Sequence, residues 1–213
     1  MTDQRSPAPW IAAGLSMFSL VVVVVVAATL LLSPDEAPAA YQDNPPTSTE
    51  AKAPQKYTVS PVENACEVVD FDRLASFGQG RKGEPDHTET DTGVTGALHC
   101  MATFEKGSML LSAQLASTVR ESYDTSENSK TSVAGSGRRS GPLPGLGADA
   151  YFSLSESNTT QWTSITAEVG VIDDNLFLTL SLSLSGSGVW TTGDDVLRAV
   201  EEEVRRAMDR MES

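Results

Sequence analysis

The chain has 213 residues, 29 acidic and 15 basic, and a net charge of −14 at pH 7. That balance argues against nucleic acid as a partner and against adhesion to anionic lipid, both of which call for a basic surface. Residues 62–213 suffice for one domain with its own core.

Residues 1–10 precede an uncharged run from Ile11 to Leu32. As a helix at about 1.5 Å per residue, this run is about 33 Å long, close to the hydrocarbon thickness of a bilayer. Ser16, Ser19 and Thr29 are small hydroxyls that can bond back to the helix, and Trp10 stands where an interfacial aromatic belongs. The run therefore predicts a transmembrane helix over 11–32. Arg5 and the terminal amine lie before it, whereas Asp35, Glu36, Asp43 and Glu50 follow it, with no basic residue until Lys52. Basic residues stay inside, so 1–10 reads as a cytoplasmic tail of a single-pass plasma-membrane protein, with the rest extracytoplasmic. The rival is a cleaved signal peptide, because Ala37, Ala39 and Ala40 offer small residues at a cleavage-like spacing. Signal-peptide apolar cores usually run about 7–15 residues, which favours the anchor. Either way the bulk of the chain is exported.

From 33 to 61 the composition shifts to prolines (34, 38, 45, 46, 54 and 61) mixed with Ala, Ser, Thr and acidic residues. Such a stretch buries too little to offset its ordering entropy and reads as a disordered, semi-extended linker, reaching up to about 90 Å in polyproline conformation.

The domain at 62–213 opens with Cys66, and Cys100 is its only other cysteine. Outside the cytoplasm an even pair reads as one disulfide. On the chain-entropy model, closing the loop between them stabilises by about 3.8 kcal/mol. A lipidated cysteine would directly follow the apolar run, a redox pair would be spaced C-x-x-C, and two thiols do not complete a zinc site.

Asp70 is a candidate N-cap for a short helix in which Phe71, Leu74 and Phe77 share a face, ended by Gly78. The polar run from Gln79 to Thr95 reads as a loop. Gly96 to Glu105 and Ser108 to Val119 flank Lys106-Gly107 as a hairpin, with Met109, Leu111, Ala113, Leu115 and Val119 on one face. Arg120 to Gly141 is polar and glycine-rich, with Arg138-Arg139 its basic pair. Pro142 to Ala150 reads as a turn into a strand carrying Tyr151 and Phe152. Two strands follow, about Gln161–Gly170 and Asn175–Ser185, and Leu176, Leu178, Leu180, Leu182 and Leu184 make one unbroken apolar face. A final helix to about Met211 carries an apolar stripe of Val196, Val200, Val204, Met208 and Met211; Glu201, Glu202, Arg205, Arg206 and Asp209 face water. Antiparallel hairpins with terminal helices predict an α+β domain: an antiparallel sheet with helices packed on one face.

This order of parts resembles an actinobacterial family of exported lipoproteins and anchored proteins, catalogued as a domain of unknown function. The likeness spans Asn64 to Met211. It lies in a Cys before a short helix (Cys66 to Phe77), a Cys in the next strand (Cys100), a Gly-Leu-Gly-x-x-Ala turn (Gly145 to Ala150), a hairpin and a C-terminal amphipathic helix. It implies a Cys66–Cys100 disulfide and a cell-envelope location, and assigns no catalytic residues. Many members carry a lipid-attachment cysteine just after the signal; this chain has none there, which favours the transmembrane helix.

Chemistry is sparse. His87 and His99 are the only histidines, and His99, in a strand beside Cys100, reads as structural. No Gly-x-Ser-x-Gly elbow, Ser-x-x-Lys or phosphate-binding glycine loop is present. Glu84, Asp86, His87, Glu89 and Asp91 form the one dense constellation, and oxygen ligands on a flexible loop could hold a divalent cation. No EF-hand glycine or terminal glutamate completes it, so a solvated loop is expected, with no metal and no cofactor. The expected function is a non-catalytic binding or accessory module of a bacterial envelope, with a lipid, glycan or protein ligand. An envelope enzyme using His87 and its acidic neighbours, or a structural spacer, are the alternatives.

Overall fold

The computed structural model describes residues 55–132 and 135–213. The expected membrane span Ile11–Leu32, the tail before it and most of the expected linker lie outside the described residues. Among the described residues no helix is long and apolar enough to cross a membrane.

Seven strands form one antiparallel sheet: β1 (Asp86–Asp91), β2 (Gly96–Phe104), β3 (Gly107–Leu115), β4 (Arg138–Pro142), β5 (Asp149–Asn158), β6 (Thr163–Asp173) and β7 (Leu176–Gly186). Their order across the sheet is β1-β2-β3-β7-β6-β5-β4. Sequence neighbours pair as hairpins, and the one long crossover carries the chain from β3 to β4 at the far edge. Besides a 3₁₀ turn (Ala65–Val68), the described helices are α1 (Phe71–Phe77), α2 (Val119–Thr131) and α3 (Gly193–Met211). The domain is α+β.

The period-2 alternation read in β3 and β7 becomes a transverse row of contacts. Cys100 faces Leu111, Leu111 faces Leu180, and Leu180 faces Val169. All four are buried. The stripe of α3 lies over β5, β6 and β7, and the 3₁₀ turn covers β1 and β2. Thr192 caps α3, accepting from the Asp195 amide, and Asp70 caps α1, accepting from the Arg73 amide. The Asp70 cap matches the sequence reading.

Helices are not confined to one face. Tyr151, Ile172 and Phe177 point away from the main core, since Ile172 pairs with Phe177 and Tyr151 pairs with Gly170. There α2 covers them with Val119 and Tyr123. Tyr123 stacks 5.7 Å from Tyr151 and edge-on 5.8 Å from Phe177. Gly170 is required here, because a Cβ on it would lie 2.3 Å from the Tyr151 ring. Val119 accordingly starts a helix rather than ending the β3 face.

The domain also begins earlier than residue 62. Tyr57 and Val59 are buried, although the Pro-rich composition places them in the linker. The Tyr57 amide donates to Asn175 Oδ1 at 3.0 Å, and Asn175 Nδ2 donates back to the Tyr57 carbonyl at 3.0 Å. Tyr57 also bridges Glu212. The chain enters the domain through a clasp between the β6–β7 turn and the C-terminus of α3.

Candidate functional site

Cys66 and Cys100 are joined as a disulfide, with Cα atoms 5.1 Å apart. Both cysteines are buried against the core face, so the bond fastens the 3₁₀ turn to the sheet. Its role is structural.

The acidic segment Asp86–Asp91 is an edge strand, not a loop, and its Glu89 and Asp91 carboxylates are taken up by local hydrogen bonds. In β1 alternate residues point to opposite faces, so Asp86 leaves one side while His87 and Glu89 take the other. Glu89 Oε1 accepts from the Ala65 amide and lies 2.9 Å from His87 Nδ1. Asp91 accepts from the Ser60 hydroxyl at 2.7 Å and from the Gly93 amide at 2.7 Å. These carboxylates tie the 3₁₀ turn and the entry segment to the edge. Among the described residues no group of His, Cys, Asp or Glu is arranged to hold a metal ion. His99 is exposed on the opposite face, and of the basic pair Arg139 meets Asp194 at 2.7 Å.

Two charged hollows are built from such ties. In one, Lys56 Nζ and the Tyr57 hydroxyl both donate to Asp173 Oδ2 at 2.6 Å. Burial and the Asp173 carboxylate push the Tyr57 phenol up to about 12. Burial pushes the Asp173 carboxyl up, but the hydrogen bonds from Lys56 and Tyr57 outweigh it and hold Asp173 below the usual carboxylate range. The other lies beside Cys66, where Arg206 pairs with Asp70 at 3.2 Å. Every charge named here has a partner close by.

One hollow differs. It lies at the end of the sheet where β6 begins and β7 ends, between the turn 159–162 and the loop 187–190. The register pairs Thr163 with Gly186, so two segments distant in sequence flank one cavity of about 440 Å3. Trp162 and Trp190 stand on it with 55% and 93% of their surface exposed. Tryptophan is highly buried on average, so two exposed indoles on one hollow are informative.

Both supporting loops are fixed. Thr159 closes its turn through its amide, which donates to the Trp162 carbonyl at 2.8 Å, while the Trp162 amide donates to Thr159 Oγ1 at 3.0 Å. Gln79 Nε2 donates to the Gly188 carbonyl at 2.7 Å, and Gly188 adopts φ +75°, which favours glycine. Val189 beside it is buried. The remainder of the lining is Thr, Gln, Ser and Gly, without a charged side chain. The arrangement offers two aromatic faces and a set of hydroxyl, amide and backbone groups, and holds no nucleophile–base pair. Sequence reading passed over both tryptophans. The available signal was a large aromatic isolated in a Thr/Ser/Gly segment with no apolar periodicity around it.

No protein-family model matches the chain, and no curated protein matches it.

Proposed function

We propose that this protein is a non-catalytic binding module of a bacterial envelope, held at the plasma membrane by Ile11–Leu32 with the 55–213 domain outside the cell. The observation that carries the reading is the pair Trp162 and Trp190, exposed on one hollow. Tryptophan is enriched among the residues that anchor binding partners, and ligand sites are concave with a few polar groups that fix orientation. A disulfide and a domain placed after a proline-rich segment suit display on the outer side of a membrane.

The test is co-sedimentation of the full chain, in nanodiscs, with purified bacterial cell-wall material. Retention of the wild type, and its loss in the Trp162→Ala/Trp190→Ala double variant, is expected. Equal retention of the two, or none of either, refutes the Trp hollow as the binding site.

A further inference from the structure

We infer that the Trp162–Trp190 hollow takes a neutral oligosaccharide of pyranose rings; this deepens the binding-module reading and rests on it. Charge is the first argument. The chain carries 29 acidic and 15 basic residues, yet no charged side chain lines this hollow. A phosphate headgroup, a sugar acid or an acidic peptide would lose hydration on entry without gaining a countercharge. Lys106 is a cation at the flank: a Cβ on Gly186 would lie 3.0 Å from Lys106 Cδ and 3.5 Å from its Nζ. It is not among the lining residues, and the anionic comparison below tests whether it recruits a negative ligand.

Chemistry is the second argument. A pyranose ring presents axial C–H bonds on a face and hydroxyls around its rim. The C–H face, slightly positive, suits the negative π face of an indole. The hydroxyl rim suits Thr160, Gln161 and Ser187, whose side chains make no hydrogen bond within the described residues and can exchange donors and acceptors with a sugar. Water leaving two large indoles supplies the apolar part of the affinity.

Size and rigidity are the third. A protein partner usually needs about 800 Å2 per side, whereas a cavity of about 440 Å3 is the scale of a small-ligand site. An acyl chain would need a continuous apolar wall, and here only Val189 and the two indoles supply one. The turn 159–162 is closed by its own Thr159–Trp162 bonds and the loop 187–190 is held from outside by Gln79 at the Gly188 carbonyl, which reduces the ordering entropy that opposes binding.

The experiment titrates the full chain in nanodiscs with three neutral tetrasaccharides, chitotetraose, cellotetraose and mannotetraose. Binding is followed by calorimetry and by quenching of tryptophan emission; oligogalacturonate serves as the anionic comparison. At least one neutral tetrasaccharide is expected to bind saturably at one site, with oligogalacturonate inert. Trp162→Ala and Trp190→Ala should each weaken binding by at least about tenfold, equivalent to about 1.4 kcal/mol. Trp→Phe at either position should weaken it less. Both side chains are exposed, so the variants should melt with the wild type. Binding that prefers the anion, or is indifferent to both substitutions, overturns the proposal. If cell-wall retention depends on the two tryptophans and no neutral tetrasaccharide binds, the saccharide class falls while the binding module stands. If cell-wall retention is absent or independent of the tryptophans as well, both fall.

Discussion

Glu203 should be the most sensitive charged residue of the domain. It lies on the core side of α3 with its side chain fully buried, where burial of a carboxylate is tolerable only with full pairing. Its partners are the Asp70 amide at 2.6 Å, Arg206 Nη1 at 2.9 Å and Arg73 Nη1 at 3.3 Å. Glu203→Ala would orphan the Asp70 amide, at about 1–3 kcal/mol, and remove about one buried methylene, at about 0.8 kcal/mol. Breaking a fully buried ion pair costs about 3–5 kcal/mol, but Arg73 and Arg206 are 35% and 36% exposed and can rehydrate. The net expectation is about 2–4 kcal/mol. At about 3 kcal/mol the melting temperature falls by roughly 6–12 °C for a domain of this size. Glu203→Gln keeps an acceptor for the Asp70 amide and should lose only about 1–2 kcal/mol. Urea unfolding of the full chain in detergent, followed by near-ultraviolet circular dichroism, measures both. A Glu203→Ala variant within 0.5 kcal/mol of wild type (roughly the scatter of surface substitutions), with no coupling to Arg206→Ala in a double-mutant cycle, would refute the buried-clamp reasoning.

Cys66→Ser and Cys100→Ser should each cost about 2–4 kcal/mol, and the double variant no more than either, because all three remove one bond; two free thiols titrating in the native protein would contradict this. Asp173, held below the usual carboxylate range, contributes stability that is present above its unfolded pKa of about 3.9 and lost as pH falls through its lower folded value. Its side-chain carboxyl carbon should therefore titrate below about 3.9 by NMR, and Asp173→Asn should remove that part of the acid sensitivity. An unshifted titration would break the link to Lys56 and Tyr57. For topology, a phosphatase fused after Met211 should be active outside the cytoplasm, and bright fluorescence from a cytoplasmic reporter at the same place would reverse the orientation.

Strong periodicity is what the sequence by itself determined. The leucines 176–184 repeat every second residue and fix a strand with one buried face; the valine and methionine stripe of 196–211 repeats at helical spacing and fixes the final helix. Two cysteines in an otherwise cysteine-free chain left a single intramolecular pairing. The elements that tertiary structure decided lack such a signal for a physical reason. Strands β1 and β4 are sheet edges, largely exposed on both faces, so neither needs an apolar row. Helix α2 buries only Val119 and Tyr123, which leaves its sequence polar nearly all round. Tyr57 is held by backbone bonds to Asn175, a residue 118 positions away. Glu203 sits among exposed charges of the same helix and is buried because two arginines and the Asp70 amide converge on it. The Trp162–Trp190 hollow exists because the register of β6 against β7 brings Thr163 beside Gly186. Local sequence encodes which face of an element is apolar; only long-range pairing sets which loop ends meet.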